Sequence, residues 1–263
     1  LMLYWEACRG GEMNGCNKLG LLYDRGRGVP ADRAAATTLF EVACEGGHMR
    51  ACGNLGISYM DGRGVPPDDM KGISLLKKSC DAAEWNGCRS LAHSYQEGRA
   101  LPQDSSTAES LLEKSAKLMQ TGCDGGEMVA CRWLAFLHEN GEGVPRDATQ
   151  SLVLRQRACD GHDAIACEDL GKAYQSGRGV TRDDVKAIEH YGLACEHGEA
   201  RGCLEVARMH YRGDGVARSY ETAATYYRLA CDQWNMAGCN ALGWVHKNGR
   251  GVALDAARAV ELY

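Results

Sequence analysis

The sequence predicts an all-α fold, a right-handed α-solenoid of stacked two-helix repeats stapled by disulfides. Cysteines recur in seven pairs whose members lie eight residues apart. The first cysteines of successive pairs are 36 residues apart, except for Cys80 and Cys123, which are 43 apart. A glycine-rich turn at residues 26–30 recurs in the same register at 62–66. A period of this length is typical of helical repeats, which bury their apolar faces by stacking on their neighbours.

The unit that spans residues 51–86 shows both helices of one repeat. Apolar side chains recur at helical spacing over 51–60, which predicts a first helix, named helix A. Gly62 ends this helix, because glycine readily takes the left-handed conformation that a helix end often requires. Asp68 opens a second helix, named helix B, whose apolar stripe leads to Cys80.

A residue that can cap a helix opens helix B in every repeat. Its side-chain oxygen would accept hydrogen bonds from the free backbone N–H groups of the first turn. These residues are Asp32, Asp68, Asp104, Asp147, Asp183, Ser219 and Asp255. The carboxylates in this set are therefore interpreted as caps and not as catalytic groups.

The chain is predicted to be a single solenoid over residues 1–263. The predicted repeats are 15–50, 51–86, 87–129, 130–165, 166–201 and 202–237, with partial repeats at 1–14 and 238–263. Each end falls inside a helix B and lacks the polar cap that terminal repeats carry. We therefore expect the chain to be a fragment of a longer array.

The repeat at 87–129 carries a seven-residue insertion near 117–123. Ala116 stands where the first cysteine is expected, and Cys123 follows later. Seven residues are about two helical turns, so a longer helix B would keep its apolar stripe and change the path of the superhelix. A bulged loop that ends at Thr121 and Gly122 would account for the same residues, and both interpretations stay open.

The recurring motif resembles the Sel-1-like repeat, a relative of the tetratricopeptide repeat. In the second unit it reads Ala51-Cys52-x-x-Leu55-Gly56-x-x-Tyr59-x-x-Gly62-x-Gly64-Val65-x-x-Asp68. The resemblance covers essentially the whole chain, and the added cysteine pairs are similar to those of the bacterial cysteine-rich, secreted branch. A cysteine-rich member that works in respiratory-complex assembly in mitochondria is similar too. The family is defined by its architecture and not by a shared reaction.

Each cysteine pair is predicted to form a local disulfide. The first cysteine lies in the last turn of helix B and the second in the first turn of the next helix A, and Gly or Ala always precedes the second. The predicted bonds are Cys8–Cys16, Cys44–Cys52, Cys80–Cys88, Cys123–Cys131, Cys159–Cys167, Cys195–Cys203 and Cys231–Cys239. A zinc site is disfavoured because no Cys-x-x-Cys occurs.

Persistent disulfides indicate an oxidising compartment, such as the periplasm, the cell surface or the extracellular space. The mitochondrial intermembrane space is the eukaryotic counterpart, and no signal sequence is recognised in this chain. The net charge of −5 provides no basic field for nucleic acid, and no apolar run is long enough to insert into a membrane. The expected partner is another protein or peptide, with no cofactor and no metal.

The candidate protein-binding residues lie on helix A, which we expect to line the concave face. They are Trp133, Phe136, Trp244, His210 and His246. Exposed aromatic side chains there would anchor a partner, although burial in the core is the more usual role of such aromatic residues. The two histidines stand where other repeats have tyrosine. Trp85 and Trp234 fall inside cysteine loops, where they are expected to cover the disulfides.

The predicted function is a non-enzymatic protein-binding scaffold. The first alternative, which the resemblance to the secreted cysteine-rich branch implies, is a β-lactam or peptidoglycan hydrolase or a penicillin-binding protein. Ser74-Leu75-Leu76-Lys77 matches Ser-x-x-Lys, but it lies in an ordinary helix B and is interpreted as a chance match. Its partner motifs Ser-Asp-Asn and Lys-Thr-Gly do not occur, so no catalytic residue is assigned. The second alternative is an assembly factor that binds haem or a metal through His210 and His246.

Overall fold

The computed structural model describes residues 1–263, which form fifteen α-helices and no strand. The helices are α1 (Met2–Arg9), α2 (Met13–Arg25), α3 (Arg33–Glu45), α4 (Met49–Asp61), α5 (Asp69–Asp81), α6 (Trp85–Glu97), α7 (Ser105–Asp124), α8 (Met128–Asn140), α9 (Ala148–Asp160), α10 (Ala164–Ser176), α11 (Asp184–Glu196), α12 (Ala200–Arg212), α13 (Tyr220–Asp232), α14 (Met236–Asn248) and α15 (Ala256–Leu262). Even-numbered helices are helix A and odd-numbered ones helix B. The predicted fold class, stacked two-helix repeats stapled by disulfides, is confirmed.

The B helices begin at the predicted capping residues. The Asp32 carboxylate accepts a hydrogen bond from the backbone N–H of Ala35 at 2.9 Å, and Asp68 accepts one from Lys71 at 2.9 Å. The same bond is made by Asp104, Asp183, Ser219 and Asp255. Each cap contributes about 1 kcal/mol to helix stability. These carboxylates thus accept hydrogen bonds from the backbone N–H groups of the first helical turn.

The A helices end at glycines in the left-handed conformation. Gly62 has φ 64° and ends α4, which lets the chain turn sharply towards the next helix B. Inside each hairpin, small residues let the two helices approach closely. A Cβ atom at Gly56 would lie 3.0 Å from the side chain of Leu76, so a larger residue there would push α4 and α5 apart.

The insertion extends a helix. Helix α7 has 20 residues where most other helices have 13, and it runs without interruption through Thr121 and Gly122 to Asp124. Its buried stripe continues from Ala108 to Cys123, because two additional turns bring the same face back to the core. The longer-helix interpretation therefore holds, and no bulged loop forms.

The chain divides into two compact units. Unit 1 consists of Leu1–Gly125 and Phe136–Asp147, and unit 2 of Gly126–Ala135 and Ala148–Tyr263. In unit 1, Phe40, Leu55 and Leu76 belong to the buried core. In unit 2 the core includes Tyr191 and Leu242. The assignment of individual repeats stays a prediction.

None of the fifteen helices combines the length and apolar character that a membrane-spanning helix requires.

Candidate functional site

Disulfides close the connection between each helix B and the next helix A. Their Cα atoms are 4.5 to 4.7 Å apart in the pairs Cys8–Cys16, Cys44–Cys52, Cys80–Cys88, Cys159–Cys167, Cys195–Cys203 and Cys231–Cys239. Cys123 and Cys131 are disulfide-bonded as well, so no cysteine is free. None of the fourteen thiols is therefore available as a nucleophile or a metal ligand.

A small residue before the second cysteine makes these bonds sterically feasible. A Cβ atom at Gly15 would lie 2.7 Å from the Cβ of Ala7, and one at Gly202 would lie 2.7 Å from the Cβ of Ala194. Contacts this short would force the two helices apart. The invariably small residue at this position is thus required by the close approach of the helices.

An exposed cluster of aromatic rings and one arginine surrounds Trp244. We name this cluster of Tyr211, Tyr220, Trp244 and Arg250 the aromatic patch. Trp244 is 41% exposed, and its ring packs edge-on against Tyr211 with centroids 5.8 Å apart. The ring centre of Tyr220 lies 4.9 Å from that of Tyr211. The candidate residue Trp244 therefore belongs to the surface and not to the core.

Arg250 joins the three rings of the aromatic patch. Its guanidinium lies 5.3 Å from the ring centre of Trp244 and 5.4 Å from that of Tyr220. Its Nη1 donates a hydrogen bond of 2.7 Å to the hydroxyl of Tyr211. Cation–π contacts at these distances hold a flexible arginine in one place. Of these four residues only Trp244 was predicted from the sequence, because Tyr211, Tyr220 and Arg250 come from three different elements.

The other two aromatic candidates are half-buried and lie on α8. In unit 2, the guanidinium of Arg132 lies 5.4 Å from the ring centre of Trp133. In unit 1, the guanidinium of Arg89 lies 5.2 Å from that of Phe136 and pairs with the Glu142 carboxylate at 3.0 Å. Both rings thus present less free surface than Trp244.

The candidate histidines lie against the turn that follows helix A. His210 is stacked on Tyr226 with ring centres 6.1 Å apart, and burial lowers its pKa below the usual value. His138 holds the equivalent place in an earlier repeat, with its Nδ1 3.2 Å from the carbonyl oxygen of Pro145. His246 is half-buried in the next repeat. No group of three or more potential metal ligands forms anywhere in the chain.

Ser74 and Lys77 of the Ser-x-x-Lys motif are both exposed on α5. A catalytic serine of this kind works in a site that also holds the partner motifs, which this chain lacks. The two cysteine-loop tryptophans differ from each other, since Trp85 is buried and Trp234 is 50% exposed.

A charged layer lies between the first A helices of unit 2, and sequence reasoning missed it. We use this name for Arg132, Asp163, Glu168, Asp169 and Lys172. Arg132 pairs with Asp163 at 3.0 Å, and their side chains are only 10% and 8% exposed. Glu168 is 4% exposed and pairs with Lys172 at 2.6 Å. Burial raises the pKa of Asp169, against the attraction of Lys172.

A sequence signal for this layer exists. Arg132 and Glu168 each follow directly after the second cysteine of a repeat, where Leu204 stands in a later one. Arg155 occupies the position four residues before a first cysteine, which Phe40 and Tyr191 fill elsewhere. A charged residue at a position that is otherwise buried predicts a buried ion pair.

Two-helix repeats with a short connection and a common register define a helical-hairpin repeat protein. The chain belongs to the Sel1 repeat family. The Sel1 repeat model matches residues 14–48, 50–83, 85–118, 129–163, 164–199, 200–233 and 237–263. No curated protein sequence matches the chain significantly.

Solved structures show the same fold. A Sel1 repeat protein from Oxalobacter formigenes is 25% identical, with a TM-score of 0.62, and the match covers 99% of this chain and 74% of that one. The protein c5321, described as a protective antigen of uropathogenic Escherichia coli strains, is 26% identical, with a TM-score of 0.58. That match covers 100% of this chain and 55% of the E. coli protein, so this chain spans little more than half of its length.

An immunity protein from Pseudomonas aeruginosa, Pa5087, is 19% identical, with a TM-score of 0.57, and the match covers 84% of this chain and 81% of that one. At this identity the likeness concerns the fold alone. A Sel1 repeat fold is consistent with binding of other proteins, and the nature of the partner depends on the side chains that each repeat displays.

Proposed function

We propose that this chain is a non-enzymatic protein-binding scaffold and that the aromatic patch is its principal contact for a partner protein or peptide. The exposure of Trp244 beside Tyr211 and Arg250 carries the proposal. Tryptophan, tyrosine and arginine are the residue types that dominate binding hot spots. A tryptophan left 41% exposed in a free chain gains apolar burial when a partner covers it.

The rigidity of the aromatic patch supports this assignment. Tyr211 and Trp244 hold each other edge to face, and Arg250 is fixed by its hydrogen bond to Tyr211. Side chains that are already ordered lose little conformational entropy when they bind. A partner that presents an apolar or aromatic side chain next to a carboxylate matches both the exposed ring and the guanidinium.

A selection with a matched control tests this function. Peptides are selected from a random displayed library on the full chain, and their affinities are then measured for Trp244→Ala and Trp234→Ala. Trp234 is also exposed, at 50%, but lies in a cysteine loop and is not part of the patch, and another repeat carries alanine at the equivalent position (Ala83).

We expect Trp244→Ala to weaken the selected peptides by about 30-fold or more, the effect of a hot-spot residue, and Trp234→Ala to leave them unchanged. Peptides that bind both variants as tightly as the original chain would show that the partner surface lies elsewhere.

The scaffold is proposed to act in an oxidising compartment, namely the periplasm, the cell surface or the extracellular space. Seven disulfides support this, because cytosolic thiols are kept reduced. The measurement is the count of free thiols in native protein after denaturation without reductant. We expect a count near zero, whereas a count near fourteen would place the working protein in a reducing compartment.

A further inference from the structure

Two histidines face each other across consecutive cysteine loops of unit 2. His162 lies in the loop between α9 and α10, and His197 lies in the loop between α11 and α12. Nδ1 of His162 and Nε2 of His197 are 3.2 Å apart, and the ring centres are 4.5 Å apart with the planes tilted by 54°. His162 is exposed and His197 is half-exposed, so solvent reaches both rings.

The backbone under both histidines is fixed. The loop of His162 is closed by the disulfide Cys159–Cys167, and its own N–H donates to the carbonyl of Cys159 at 2.9 Å. The loop of His197 is closed by Cys195–Cys203, and its N–H donates to the carbonyl of Leu193 at 3.0 Å. The two rings are therefore presented by rigid loops, which reduces the entropy that ligand binding would cost.

The separation of the two nitrogens fits a shared metal ion. Imidazole nitrogens bind zinc at about 2.0–2.1 Å, so two of them on a tetrahedral ion lie about 3.3 Å apart. A square-planar ion with similar bond lengths places neighbouring nitrogens about 2.8 Å apart. The observed 3.2 Å lies between these values, so small rotations of the rings suit either geometry.

We propose that His162 and His197 form a solvent-open binding site for a late first-row divalent cation, with Cu²⁺ preferred over Zn²⁺. Imidazole suits both ions, and Cu²⁺ stands highest in the general order of affinity. No third His, Cys, Asp or Glu completes the site, so water fills the remaining positions and the ion exchanges readily. This site is separate from the aromatic patch and does not depend on the proposed function.

Metal binding to the two neutral imidazoles releases no proton. In the metal-free chain one ring donates its N–H to the lone pair of the other across the 3.2 Å contact. When the ion binds, the donor ring takes its other tautomer, with the proton on the outer nitrogen, so that both inner lone pairs face the metal. Acid releases the ion, since a ligating imidazole must be neutral.

These two histidines are particular to one pair of repeats. The position of His162 has a positive φ of 68° and holds glycine in the equivalent loops at Gly47 and Gly198. Histidine is among the residues that tolerate this conformation better than most, at a small energetic cost. The turn itself does not require histidine at position 162. Its contact with His197 from the next cysteine loop accounts for its presence there.

Calorimetric titration of the full, disulfide-bonded chain with Cu²⁺ and separately with Zn²⁺ tests the site. The variants are His162→Asn, which suits a positive φ, and His197→Gln, which lies at an ordinary backbone position. His93→Gln serves as the matched control, because His93 is a half-exposed histidine in unit 1.

We expect one equivalent of Cu²⁺ to bind the original chain, and each single variant to weaken that binding by about tenfold or more. Loss of a residue that binds the metal directly should cost more affinity than loss of a residue that only hydrogen-bonds a metal ligand. The His93→Gln variant should bind like the original chain, and Zn²⁺ should bind more weakly than Cu²⁺. If His197→Gln, with an unchanged helical circular dichroism spectrum, binds Cu²⁺ as tightly as the original chain, the proposal is overturned.

Discussion

The A helices of unit 1 and of unit 2 are joined through different polar contacts. In unit 1 a chain of amides links α2, α4 and α6, since Asn54 donates to Asn17 at 2.9 Å and Asn86 donates to Asn54 at 3.1 Å. In unit 2 the charged layer joins α8 to the start of α10, with Arg132 paired to Asp163 at 3.0 Å. The same two-helix repeat thus accommodates a chain of amides in one unit and a deeply buried ion pair in the other.

The backbone of the repeat is the same whichever polar groups lie between its helices, but the free energy of unfolding depends on which groups they are. An amide keeps the same charge at every pH and needs only its hydrogen-bond partners. A buried charge needs a partner of opposite sign, because its desolvation is costly and removal of that partner leaves it uncompensated. We therefore expect unit 2 to respond more strongly to substitution and to pH than unit 1.

The largest effect is expected from Asp163→Ala. The substitution leaves the guanidinium of Arg132 buried without its carboxylate and removes the cap that accepts from the N–H of Ala166. The free energy of unfolding of unit 2 should fall by about 3–5 kcal/mol. Urea unfolding measures the loss, and hydrogen exchange in α8 and α10 should locate it. Asp160→Ala, at an exposed carboxylate on α9, should change stability by less than about 0.5 kcal/mol. Equal effects of the two substitutions would contradict the ionic description of unit 2.

A smaller effect is expected from Asn54→Ala in unit 1. The substitution removes the donor to Asn17 and the acceptor for Asn86, at a site that is half-buried. The free energy of unfolding should fall by about 1–2 kcal/mol, and by the same amount at acid and neutral pH. Asn240→Ala is the control, since Asn240 is exposed at the position equivalent to Asn17. A loss that varied with pH would show that charged groups take part in the amide chain.

The smallest effect, and the one of opposite sign, is expected from Asp169→Asn. Burial raises the pKa of Asp169 above its ordinary value of 3.8, although Lys172 and Arg155 oppose the shift. The folded chain then holds this proton to a higher pH than the unfolded chain, so stability falls as pH rises through that interval. The variant should be slightly more stable than the original chain at neutral pH, and the gain should vanish below pH 3.8. Thermal melts across this pH range measure it, and a variant that is less stable at neutral pH would show that the attraction of Lys172 outweighs burial.

Much of the fold follows from local sequence. The caps at Asp32 and Asp68 and the glycine at Gly62 are read within a few residues of the helix ends that they define. The length of α7 was harder to predict from the sequence, because two additional turns of helix and a bulged loop use the same number of residues. Packing of its buried stripe selects the helix, since Met119 and Cys123 continue the face that begins at Ala108.

The candidate site was only partly predictable. Trp244 could be named because aromatic residues on helix A are few, but its exposure depends on which neighbours cover it. Arg250 completes the patch from the turn after α14 and reaches Tyr211, 39 residues earlier in the chain. No periodic pattern marks such a partner, because the repeat constrains the buried positions and leaves the displayed ones free.

The sequence by itself determined the helical repeat and its disulfides. The eight-residue spacing of the cysteines and the glycine turn both act locally, and both recur in every unit. Only the tertiary structure decided which displayed side chains meet. Arg132 and Asp163 are brought together by stacking of successive repeats, as are His162 and His197, 35 residues apart. The physical reason is that stacking fixes the register between one repeat and the next. A side chain whose partner lies a full repeat away gains that partner only when the helices have packed.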